Sequence, residues 1–92
     1  HTYKMVVKLD GKRDSEGMIM DFIELKRIVK SEVVDILDHA CLNEIIPQPS
    51  AENIAVWVWD RLDNLLKRDN CHLYEIEVWE TKTSGVIYRG DE

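Results

Sequence analysis

Two prolines, Pro47 and Pro49, constrain this chain more than any other residues. Proline lacks a backbone donor and pushes its predecessor out of helical geometry, so no helix runs through this point. The sequence on either side is helical in period. From Asp21 to Leu37, the residues Phe22, Leu25, Ile28, Val29, Val33, Ile36 and Leu37 form one broad apolar stripe. Asp21 stands where an N-cap belongs. From Ala51 to Lys67 the stripe is Ile54, Val58, Leu62 and Leu65, with Trp57 beside it and Ser50 as N-cap; Trp59 and Leu66 lie off its centre, free to face a neighbour. Residues 36–53 are therefore a linker between two amphipathic helices.

Strand period brackets the helices. His1, Tyr3, Met5, Val7 and Leu9 share one face of an alternating segment. A polar connection, Asp10 to Gly17, leads to Met18-Ile19-Met20, which reads as a short second strand. Leu73 to Glu80 alternates again, with Tyr74, Ile76, Val78 and Glu80 on one face. On the other face Glu75 and Glu77 meet solvent. After a turn over residues 81–85, Val86-Ile87-Tyr88 opens a last strand. The order strand, strand, helix, helix, strand, strand predicts an α+β domain: a four-stranded antiparallel sheet with two helices on one face. Ninety-two residues make one domain, 1–92.

Charge narrows the partners. Twelve basic and 18 acidic residues give −6, and no basic run interleaves with aromatics. That balance disfavours nucleic acid and anionic membranes. Cys41 and Cys71 lie too far apart for a C-x-x-C metal knuckle and read as free thiols of a reducing compartment.

Three residues or pairs break local rules, and such misfits tend to mark sites. His1 lies on an inward strand face; its plain alternative is a hydrogen-bonded core histidine. Asp38-His39 ends the first helix. It could relay protons, since a carboxylate orients a histidine that titrates near neutrality, or it could simply solvate a helix end. Successive helical residues do not face each other, so the relay needs departure from helix or two separate partners. Glu80 falls on the apolar strand face. It is held either by an arginine such as Arg89 or by a ligand edge with two adjacent N–H donors. A metal site built from His1, His39 and His72 alone lacks ligand spacing.

Taken together, His1-Thr2-Tyr3, Gly17-Met18-Ile19-Met20-Asp21-Phe22, Leu37-Asp38-His39, Leu42-Asn43, Pro49-Ser50-Ala51-Glu52-Asn53, Val78-Trp79-Glu80-Thr81, Ser84-Gly85 and Tyr88-Arg89-Gly90 resemble the 6-pyruvoyltetrahydropterin synthase family. Within it, the chain is most similar to the 6-carboxytetrahydropterin synthases. The resemblance implies the tunnelling fold, with sheets joined edge to edge into a barrel, commonly a hexamer of two stacked trimers, and active sites at subunit boundaries. It implies Zn2+ held by three histidines, of which His1 matches one. The other two, the catalytic cysteine and the first strand are expected upstream of His1; neither Cys41 nor Cys71 matches that cysteine. It makes Asp38 and His39 the catalytic pair that works with the cysteine, and Glu80 the pterin anchor, counted with the relay. Ser50 and Glu52 match a substrate-pocket Thr/Ser-x-Glu element. The implied activity is a cytoplasmic, zinc-dependent lyase acting on 7,8-dihydroneopterin triphosphate. It releases 6-carboxy-5,6,7,8-tetrahydropterin, acetaldehyde and triphosphate on the route to deazapurine nucleosides such as queuosine. The Glu80-Thr81-x-Thr83-Ser84-Gly85 ending favours this branch. The alternatives are the pyruvoyl branch of the biopterin route, a different tunnelling-fold enzyme, or a non-catalytic pterin-binding oligomer.

Overall fold

The computed structural model describes residues 3–38 and 42–90. Three strands form one antiparallel sheet in the order β1-β2-β3: β1 (Lys4–Gly11), β2 (Cys71–Trp79) and β3 (Gly85–Tyr88). Between β1 and β2 lie α1 (Phe22–Val29), a π-helical turn (Lys30–Val34), α2 (Asp35–Asp38), α3 (Leu42–Ile45) and α4 (Ala51–Leu62). The helices pack on one sheet face, as the alternation requires. Ile28, Val33, Ile54, Val58, Leu62, Ile76 and Val78 meet in the core, which supplies the dominant favourable term of folding.

The strand expected at Met18–Met20 does not form, so the described sheet has three strands, not four. The backbone there is committed to a turn. The Asp14 carboxylate accepts from the Glu16 and Met18 N–H groups at 2.9 and 3.0 Å, and the Asp14 N–H reaches the Met18 carbonyl. Gly17 makes the turn possible with φ +84°. The Asn70 amide then pins the loop by donating to the Lys12 and Ile19 carbonyls.

Both helix starts agree with the sequence. The Asp21 side chain accepts from the Ile23 N–H, and the Ser50 hydroxyl from the Asn53 N–H at 3.1 Å. The stripes shift at their ends. Phe22 is 69% exposed instead of buried. Helix α4 stops at Leu62 rather than Lys67, but the Leu66 N–H still bonds the Leu62 carbonyl, so Leu66 follows Ile54, Val58 and Leu62 into the core at four-residue spacing and Leu65 is 41% exposed, the reverse of the expectation. Trp59 packs within the molecule, edge-to-face on Tyr88 at 5.7 Å.

A β-bulge changes the reading of β2. Lys8 pairs with Glu75 but Leu9 with Leu73, leaving Tyr74 as the extra residue. Leu73 therefore points into the core together with Ile76 and Val78, and Tyr74 is exposed. Glu75 and Glu77 lie on the face away from the helices, as predicted, yet Glu75 is only 3% exposed. It is covered by its partners: Arg89 Nε donates to its Oε1 at 2.9 Å, and Lys8 Nζ lies 3.0 Å from its Oε2. Lys8 also reaches Glu77 at 2.7 Å, and the Trp79 indole N–H donates to Glu77 at 2.9 Å. This chain of charges lets a buried carboxylate keep its hydrogen bonds.

Candidate active site

Two clefts open at the start of β1, one toward the helices and one over the sheet face that carries Glu77. The larger, of about 650 Å³, is mainly apolar, walled by Tyr3, Met5, Val33, Leu37, Ile54 and Val78. Asp38, the last residue of α2, and Asn43 bring polar groups to it. Pro49 forms part of the rim, and the Tyr3 hydroxyl donates to its carbonyl at 3.5 Å. The linker prolines thus do more than stop a helix: the turn they make is tied to the first strand.

The second cleft, of about 530 Å³, lies along the last residues of β2 and the turn after it. Glu77, Trp79, Glu80 and Thr81 supply one side, and Tyr3, Lys4 and Val6 the other, with Lys82 at the edge. Glu80 is exposed and stands one residue past the strand, not half-buried on its apolar face. Its backbone N–H donates to the Ser84 carbonyl at 2.8 Å, so the turn that closes β2 onto β3 fixes its backbone. The arginine considered as its structural partner, Arg89, pairs with Glu75 instead.

Tyr3 lines both the cleft that holds Asp38 and the cleft that holds Glu80. The sequence carried a signal for it, a position two residues after His1 on the same strand face. Ser50 and Glu52 sit at the exposed start of α4; Ser50 is engaged as its N-cap. They line neither cleft in the single chain. His1 and His39 lie outside the described residues, as does Cys41. Cys71 is buried and free. Among the described residues, no three His, Cys, Asp or Glu side chains stand close enough together to hold a metal ion. That part of the chain does not by itself make a zinc site.

The charges next to the second cleft are strongly biased. The Lys8 hydrogen bond, followed by those of Trp79 and Glu75, lowers the Glu77 carboxyl to about 2. The same contacts raise Lys8 above its ordinary value, Glu77 first and Glu75 next. Glu77 is thus a fixed anion of the sheet and not a proton carrier near neutrality.

A small α+β unit with an aspartate in one cleft and a strand-end glutamate in another offers a frame for small-molecule chemistry. The chain belongs to the 6-pyruvoyl tetrahydropterin synthase family, whose model matches residues 1–91. It is 36% identical over 97 residues to the 6-pyruvoyl tetrahydrobiopterin synthase of Dictyostelium discoideum, covering 99% of this chain and 70% of that protein. It is 38% identical over 86 residues to the dihydroneopterin monophosphate aldolase of Pyrococcus furiosus, covering 94% and 73%. An Archaeoglobus fulgidus protein, provisionally named a 6-carboxy-5,6,7,8-tetrahydropterin synthase, is 47% identical over 62 residues, covering 67% of this chain and 53% of that one. The chain spans about two thirds of the length of several of these relatives, for example 66% of the human 6-pyruvoyl tetrahydrobiopterin synthase.

Proposed function

We propose that this chain is the main part of a pterin lyase. Its reaction converts 7,8-dihydroneopterin triphosphate and water to 6-carboxy-5,6,7,8-tetrahydropterin, acetaldehyde and triphosphate. Family membership supports the pterin substrate class. The observation that carries the reading is the placement of Asp38 and Glu80 in two clefts that share the Tyr3 wall.

In this reading Glu80 accepts hydrogen bonds from the two adjacent N–H groups of the pterin edge, a planar two-donor match like that of guanidinium. Its exposure fits a carboxylate that waits for a ligand instead of being neutralised by an internal arginine. Asp38 orients His39, and the pair moves protons to and from the substrate side chain. Since successive residues cannot face each other within a helix, the relay requires the chain to leave helical geometry at this pair or each side chain to meet a different partner. Ser50 and Glu52 serve the pocket of a neighbouring subunit, which agrees with their exposure here. His1 is proposed as a zinc ligand, with the rest of the donor set from beyond the described residues. The metal, when bound, supplies Lewis acidity toward the side-chain hydroxyls. A cytoplasmic hexamer of two trimers belongs to the same proposal.

The second reading is the pyruvoyl branch, in which triphosphate is the sole leaving group. It is favoured by the Dictyostelium relative of that name, which matches nearly the whole chain. A product assay decides. Full-length protein loaded with zinc is given dihydroneopterin triphosphate, the pterin is identified by mass, and acetaldehyde is measured. Carboxypterin with acetaldehyde supports the first reading, and a pyruvoyl product the second. No turnover from zinc-loaded oligomer overturns both in favour of a binding protein.

A further inference from the structure

The helix that delivers Asp38 contains one residue more than a regular α-helix would hold. Over Lys30–Val34 it winds as a π-helix, and the Asp35 N–H bonds the Lys30 carbonyl five residues back. Such turns are rare, and they occur often at functional sites. The apolar pattern calls for one. Leu25, Val29, Val33 and Leu37 repeat every four residues, and each such step drifts by about 40° around an α-helix. Ile28 and Val33, five apart, are both buried. One wider turn cancels most of that drift and keeps both on the core side.

Three side chains hold the wider turn. Arg61, from α4, donates from Nε to the Glu32 carbonyl at 2.7 Å and from Nη2 to the Glu32 carboxylate at 3.0 Å. Its guanidinium also stacks on Trp57, 5.1 Å from the ring centroid. The Ser31 hydroxyl donates to the Ile28 carbonyl at 3.3 Å, and Lys30 grips Asp35 at 2.9 Å across the five-residue spacing. Val33 and Val34 of the turn, and Leu37 and Asp38 after it, line the large cleft.

We propose that this π turn sets the direction in which Asp38 enters the cleft, and that Arg61 is the positioning residue that keeps the extra residue wound in. Relaxation to a regular α-helix would rotate Asp38 by about 100° and slide it by about 1.5 Å. The catalytic consequence rests on the function proposed above for Asp38; the geometric one does not.

The experiment compares full-length wild type, Arg61→Met, deletion of Ser31, and the double variant. Deleting exposed Ser31 puts Ile28 and Val33 four apart, so a regular α-helix then carries both and aims Asp38 correctly without a lock. Arg61→Met should lower kcat on the order of 10- to 100-fold through misplacement, with KM within about twofold. The Ser31 deletion should keep wild-type kcat, alone and combined with Arg61→Met. Rescue by a deletion is not what a merely stabilising Arg61 would give. Unchanged kcat in Arg61→Met, or a double variant as slow as it, overturns the proposal. Crystal structures of the same variants judge the geometry without turnover. Asp38 turned out of the cleft in Arg61→Met and restored in the double supports it; Asp38 in place in Arg61→Met overturns it. If wild type shows no turnover, the function reading fails while these structures still decide. If Arg61→Met does not fold, the Ser31 deletion alone decides, since Asp38 leaving the cleft there refutes the assigned phase.

Discussion

Asp38 and Glu80 occupy different clefts, so their loss should show in different kinetic constants. Asp38→Asn keeps size and hydrogen bonding but removes the charge that orients a histidine. It should lower kcat by about 100-fold and leave KM within about twofold. Glu80→Gln replaces a two-acceptor carboxylate by an amide that presents a donor to a donor. It should raise KM about 10- to 100-fold, as expected for losing a charged hydrogen-bond pair. Steady-state kinetics on dihydroneopterin triphosphate checks both, and equal effects on both constants would contradict the separate roles. At this scale the sequence showed Asp38 and Glu80 as misfits but misjudged their surroundings. Glu80 was expected on an apolar face and is exposed, because the strand ends one residue before it. Glu75, placed in solvent, is the buried carboxylate, because Lys8 and Arg89 close over it. Such covering depends on charges from β1 and from the residue after β3, which alternation along one strand does not encode.

The elements were legible where their signals are local. N-cap chemistry located both helix starts, and the prolines located the break between them. Ser50→Ala should cost about 1 kcal/mol of stability while Ser50→Thr costs little, since a hydroxyl at this position accepts the Asn53 N–H. Chemical denaturation measures the difference. Departures from regular period were harder to read. The stripe of α1 was taken as one helix although its four-residue repeat cannot stay in phase, and in the second stripe the fourth core position is Leu66, four residues after Leu62, not Leu65. The Met18–Met20 segment has strand composition, yet the Asp14 turn and Asn70 use its backbone first. Side chains that compete for backbone groups override propensity in short segments.

Across the molecule, the sheet carries its core on one face and a charge chain on the other. Glu77 has a folded value of about 2, below the ordinary 4.5. It therefore contributes stability that is present above about 4.5 and lost as the pH falls toward about 2. Glu77→Gln should flatten the stability profile in that window, which denaturant midpoints between those limits would show; an unchanged slope would mean that Lys8 does not hold Glu77 in solution. Lys8, whose value is raised, contributes stability that is fully present below its ordinary value of 10.5 and fades as the pH rises through the folded one. Among the described residues no helix is long and apolar enough to cross a membrane. The α+β class followed from the element order alone, whereas the strand count did not, because it depended on a three-residue segment with no hydrophobic period to test.

The extra residue at Tyr74 also has a meaning for chain pairing. Below the bulge β1 and β2 match at one offset, and above it at another. A β1–β2 pairing slipped by one position cannot satisfy both halves: whichever half keeps its partners, the other loses them, Leu9 and Leu73 in one case and Met5, Val7, Ile76 and Val78 in the other. The offset works like a lock with two wards, in which a foreign strand of plain alternation fits at most one. Correct pairing is thereby checked twice along the same eight-residue strand, which favours the chain's own partner over a stranger during assembly.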